Sequence, residues 1–160
     1  MNNVYELTPS IEQKQLLKKT ASASLRVYNL ILKAIQQNPT KWVSVEVDVN
    51  LLAHSLVFKD RALNVAKYTG IEIRSLDFAE QLALAVLDKG DEKKIKKSPL
   101  KNELFYNTCS KYLRVENGQL YIPKIGFIPI EVPKGVLIPQ ISNALFLFRE
   151  NKWYVKFYFN

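Results

Sequence analysis

Carboxylates, one thiol and one imidazole are the groups through which this chain could do chemistry, and their spacing argues against a reaction centre. Phosphodiester cleavage on two metal ions needs several carboxylates converging from separate elements, since each ion takes hard oxygen ligands and the two ions sit about 4 Å apart. Asp88, Asp91 and Glu92 instead fall at an expected helix end and loop beside lysines, where capping and ion pairing account for them. Glu46 and Asp48 alternate on one face of an expected strand with no third acid beside them. The chain has no GxxxxGK[ST] phosphate loop, no GxGxxG, no HExxH and no GxSxG. As a nucleophile Cys109 would need a histidine, and His54 is the single one, so a small buried thiol is expected. His54 has no cysteine or second histidine near it in sequence, which makes a packed or surface histidine the expectation and a metal site not. The expected inventory is therefore no catalytic residue, no metal and no cofactor.

What remains is charge. The formal charge is +8, and it is unevenly placed: residues 1–88 carry 10 Lys/Arg against 9 Asp/Glu, residues 89–160 carry 13 against 6. A positive second half suits a polyanionic partner, because lysines set along a phosphate backbone release its condensed counterions. A basic surface that serves solubility alone is the competing reading. The densest run, KGDEKKIKKSPLK from Lys89 to Lys101, holds Lys93, Lys94, Lys96 and Lys97 around Ile95 and is expected to be a basic loop that tracks a phosphate backbone or folds onto one, with a merely solvated loop as the competing reading.

These side chains need a scaffold, and 160 residues at 48% hydrophobic content suffice for one domain or two lobes sharing a core. One cysteine excludes an intramolecular disulfide, the N-terminus has no signal-peptide pattern, and no apolar run reaches the roughly 20 residues of a membrane span, so a reducing cytoplasm is expected. Ser10 and Gln13 have capping-box spacing after Pro9, and Leu17, Ala21, Ser24, Tyr28, Ile31 and Ile35 recur at helical steps until Pro39 stops the helix near Asn38. Lys14, Lys18, Lys19 and Arg26 lie mostly off that stripe, where they meet phosphates or merely water. Val43, Val45, Val47 and Val49 then alternate with polar residues and predict a half-buried strand. Asn50 is expected to cap a helix through Lys67 ended by Gly70, and Ser75 another through Leu87 ended by Gly90. From Leu104 the pattern is β: Asn117-Gly118 predicts a primed hairpin, the prolines make Phe127 to Val132 an edge or bulged strand, and Ile141 to Phe148 with Trp153 to Phe159 predict a second hairpin.

The fold class predicted is α+β, a long N-terminal helix and a helical insertion packed with a barrel-like, mostly antiparallel sheet. Residues 1–37 and 102–160 are expected to form the β lobe with its long helix, and residues 38–101 a mainly helical lobe bearing the basic loop.

YELTPSIEQKQLL from Tyr5 to Leu17, RVYNLIL from Arg26 to Leu32, LYIPKIGFIPI from Leu120 to Ile130 and KWYVKFYF from Lys152 to Phe159 together resemble, in order, the N-terminal half of the transposon-encoded RNA-guided nuclease family TnpB. The similarity runs over residues 5–36 and 76–159. The resemblance implies a wedge lobe and a recognition lobe that hold a guide RNA and its duplex with target DNA by backbone and shape. In that family cleavage belongs to a RuvC-like domain beginning after the last matched strand, so no catalytic acid is carried over. Residues 38–74 depart from the family pattern.

Both lines lead to one expectation: a non-catalytic, cytoplasmic nucleic-acid-binding protein acting as regulator, competitor or subunit beside a separate nuclease. The expected contacts are Lys93, Lys94, Lys96, Lys97, Lys101, Lys111, Arg114 and Lys124, then Lys18, Arg26 and Asn29, with Tyr112 and Tyr121 available to stack on bases. The alternative expectation is a protein-interaction module that docks a partner through its aromatic edge strands.

Overall fold

The structure is a computed structural model and describes residues 3–44, 46–88, 104–109 and 111–159. The chain opens with β1 (Val4–Leu7), which places Tyr5 and Leu7 in the core. Helix α1 (Ile11–Gln37) starts at the expected capping box: the Ser10 hydroxyl accepts the Gln13 backbone N–H at 3.2 Å, and the Gln13 side-chain Oε1 accepts the Ser10 N–H at 2.9 Å. Two orphan amides are satisfied at once. The helix ends at Asn38, as Pro39 demands, and every residue of the expected stripe is buried.

Between the helices the structure corrects the sequence. Residues 43, 44 and 46–49 form no strand; α2 (Pro39–Val43) ends there, buries Trp42, and gives way to a turn at 46. Alternating valines favour a strand only where a neighbour completes the ladder. Among the described residues none lies alongside, and Val43 stays exposed. Asp48 offers a local solution instead, since its carboxylate accepts the N–H groups of Asn50 and Leu51 and so caps α3 (Val49–Leu63), a role the sequence assigned to Asn50. The single helix expected through Lys67 breaks at Asn64, whose non-helical backbone is held by its amide donating to the Asp60 carbonyl and carboxylate; α4 (Val65–Tyr68) follows. Helix α5 (Ile73–Asp88) begins ahead of the predicted cap, and the Ser75 hydroxyl donates back to the Glu72 carbonyl rather than accepting an amide. Gly90 falls outside the described residues.

Strands β2 (Leu104–Thr108), β3 (Arg114–Glu116), β4 (Gln119–Ile122), β5 (Gly126–Pro129), β6 (Ile141–Arg149) and β7 (Lys152–Phe159) form two antiparallel sheets, ordered β1-β7-β6-β2 and β3-β4-β5. Both predicted hairpins are present. Asn117 and Gly118 have φ of 51° and 72°, and Glu150 and Asn151 have 50° and 64°, the paired positive φ of the turn that matches strand twist. The α+β class holds, but the strands do not close into a barrel. The sheets meet at one isolated bridge, Leu7 with Ile130, and Pro129 and Pro133 lack the N–H groups that a continued ladder requires. A second correction concerns β7: it is paired on both sides, by β1 and β6, so the aromatic terminal strand is not an edge.

Two hydrophobic cores result. One gathers both sheets with Leu17 and Ala21 of α1; the other gathers Ala23 to Ile35 of α1 with α2, α3, α4 and α5. A polar node fixes the helical core. The Asp60 carboxylate accepts Arg26 at 2.7 and 2.9 Å, the Tyr68 hydroxyl at 2.5 Å and the Asn64 amide at 3.0 Å. The hydrogen bonds from Arg26 hold the Asp60 carboxyl below its ordinary value of 3.8, and the same pair raises Arg26.

A carboxylate whose folded value is depressed stabilises the fold fully above its unfolded value and loses that contribution as pH falls through the folded one. Asp60→Ala is therefore expected to cost on the order of 2 kcal/mol at neutral pH, because it strands Arg26 and Tyr68 together. Urea unfolding of both proteins checks this, and the difference should shrink as pH falls below about 3.8.

Candidate nucleic-acid interface

The two-residue turn at Asn117-Gly118 and the four-residue turn from Ile122 to Ile125 set the register of the small sheet: Arg114 faces Tyr121, and Tyr121 faces Phe127. Alternation sends Leu120, Ile122 and Ile128 into the core and leaves Arg114, Tyr121 and Phe127 on the outer face. Directly paired residues on one face have Cβ atoms about 5 Å apart, close enough for rings and a guanidinium to touch. The Arg114 guanidinium lies 4.5 Å from the Tyr121 ring centroid and 5.6 Å from that of Phe127, and the two rings are 5.1 Å apart at 55°. Its nitrogens donate to Glu116 at 2.9 Å and to the Tyr112 carbonyl at 3.3 Å. Tyr112 is 56% exposed at the flank of this face, with the Lys111 ammonium 5.2 Å from its ring centroid.

Lys124 sits at the third position of the turn joining β4 to β5, after Pro123, with φ of 73°. The Ile122 carbonyl accepts the Ile125 N–H at 3.1 Å, and proline second with positive φ third describes a type II turn. Glycine or asparagine suits that third position; a lysine there holds an exposed ammonium at the cost of backbone strain.

The second expected group lies on α1. Lys18 and Arg26, with Lys19 and Lys67, line one groove, and Arg26 with Asn29 and Lys33 lines another, with no carboxylate among the described residues that line either. Arg26 is committed to Asp60, and the Lys19 ammonium donates to the Thr69 carbonyl at 2.6 Å. Lys18, Lys33 and Lys67 are exposed. The start of this helix is tied to the small sheet, since the Gln13 amide donates to the Phe127 carbonyl at 2.8 Å.

Of the expected contacts, the structure therefore brings Lys111, Tyr112, Arg114, Tyr121 and Lys124 to the small sheet or its flank, and Lys18, Arg26 and Asn29 to α1. Lys93, Lys94, Lys96, Lys97 and Lys101 lie outside the described residues. Phe127 was missed, although hairpin arithmetic through Asn117-Gly118 and Pro123 would have placed it opposite Tyr121. The thiol of Cys109 is half-buried rather than buried, 4.0 Å from Arg74, and His54 is a surface residue paired with Glu80. No helix among the described residues is long and apolar enough to cross a membrane.

No protein-family model matches this chain, and no curated protein matches it in sequence.

Replacing Lys124 with glycine separates charge from backbone. Lys124→Gly should leave the fold intact and raise its stability by about 1 kcal/mol by relieving the positive φ, as read by thermal or urea unfolding. A loss of stability would mean that the lysine side chain, not strain, dominates at this turn.

Proposed function

We propose that this chain is a non-catalytic nucleic-acid-binding protein that uses the outer face of β3-β4-β5 as its platform. The observation that carries the reading is the in-register row Arg114, Tyr121, Phe127, solvent-facing and flanked by Tyr112, Lys111 and Lys124. A face of this composition offers two kinds of contact together. Rings and a guanidinium stack on bases, and ammonium groups meet phosphates. The outer groove of α1, with Lys18, Lys19 and Lys67, continues the cationic supply. The ordered motifs resembling TnpB favour an RNA or RNA–DNA ligand and a place in the reducing cytoplasm beside a separately encoded nuclease.

A protein-interaction role is the second reading. Its original basis, an aromatic edge strand, is gone with β7 in the sheet interior; the exposed Phe58, Leu63 and Val65 on α3 and α4 are the observation that favours it now.

Fluorescence anisotropy against a structured RNA with single-stranded loops, at two salt concentrations, tests the nucleic-acid reading. Affinity is expected to fall with salt, by a slope of about 0.7 for each single-stranded phosphate contacted. Replacing Tyr121 and Phe127 together with leucine should weaken binding about tenfold or more at unchanged salt slope, since a stacked base is worth about 1–3 kcal/mol. Lys111→Ala with Lys124→Ala should reduce the slope. No binding at low salt, or affinity indifferent to salt, rejects the reading. Partner capture that survives nuclease and high salt but fails in Phe58→Ser would favour the second.

A further inference from the structure

Away from the sheet face, His54 of α3 and Asp77 and Glu80 of α5 bring one nitrogen and two carboxylates together, with ligand atoms all within 4.8 Å of one another. Asp77 and Glu80 are three residues apart, so they project from the same side of α5, where α3 packs. His54 Nδ1 lies 3.3 Å from Glu80 Oε1. Two ligand atoms about 2.0–2.1 Å from a tetrahedral zinc ion stand about 3.3 Å apart, so this spacing matches an edge of that coordination shell. Asp77 is exposed and can swing in by the remaining distance.

The electrostatics point the same way. The Glu80 side chain is 8% exposed, and among the described residues its ion-pairing partner within 4 Å is an imidazole that is itself 61% exposed. A buried carboxylate beside a second carboxylate lacks positive charge, which a dication would supply. Cys109 lies elsewhere, beside Arg74, so the donors are imidazole nitrogen and carboxylate oxygen, a set that suits zinc.

We propose that His54 Nδ1, Asp77 and Glu80 bind one zinc ion, with water as the fourth ligand, and thereby clamp α3 to α5. The sequence could not show it. A lone histidine carries no metal signature, and the two acids lie 23 and 26 positions further along the chain.

The test uses the untagged full chain, stripped with chelator and titrated with Zn²⁺ by calorimetry and with Co²⁺ by visible absorption. One saturable site per chain is expected, with the intense visible bands of four-coordinate cobalt, lost on addition of zinc. His54→Gln retains an amide that can donate to Glu80, so it should stay folded by circular dichroism, yet weaken zinc binding about tenfold or more, as should Asp77→Asn. Absence of saturable uptake overturns the proposal. So does binding of undiminished affinity in His54→Gln, or a preference for Ca²⁺, which would mark a carboxylate site that ignores the imidazole.

Discussion

The fold depends on one helix serving two cores. At 27 residues α1 is about 40 Å long, and its buried positions divide at Ser22: Leu17 and Ala21 pack with the sheets, Ala23 to Ile35 with the other helices. Its start is fixed twice, by the capping box at Ser10 and by Gln13 reaching the Phe127 carbonyl. Its rotation is fixed further along, where Arg26 meets Asp60 and Tyr68 beyond it. The small sheet and the helical lobe are thereby both held to one rod, so the aromatic face and the basic groove of α1 keep a constant relation.

What could be read from sequence was what local forces decide. Capping chemistry at Ser10, the helical stripe to Ile35 and the positive-φ turns at Asn117-Gly118 and Glu150-Asn151 all involve residues within a few positions, and all are present. Where the outcome depends on a distant neighbour, pattern misled. Val43 to Val49 have strand alternation but no partner strand, and the Asp48 cap prevails. The terminal hairpin was legible, but the pairing that places β7 between β6 and the first strand of the chain spans nearly its whole length. The candidate site divides the same way. Arg114 and Tyr121 were singled out and meet across a hairpin; Arg26 was singled out as a contact and is held by an aspartate 34 positions later.

Net charge overstates what is available to a phosphate, and magnitudes decide which cations count. The Arg26–Asp60 pair is shared with Tyr68 and Asn64 and its acid is mostly buried, so breaking it for a ligand is costly. Arg114–Glu116 is different. Both side chains are about half exposed, and pairs of that kind contribute about 0–1 kcal/mol, so exchanging Glu116 for another anion would cost little. Arg114 is thus available despite its ion pair, and Arg26 is structural despite its charge.

Helix α5 carries its own tension. Glu72 before its first turn and Glu80 at its middle are both buried, and burial raises both carboxyls. Among the described residues one oxygen of Glu72 has no hydrogen-bond partner, nor has the fully buried Tyr106 hydroxyl nearby on β2. Leucine or glutamine at these positions would remove the desolvation cost of a buried charge without opening a cavity. Neighbours offset that cost only in part, His54 and Arg61 at Glu80 and Thr108 and Arg74 at Glu72, so burial of these two carboxyls works against the packing of α5.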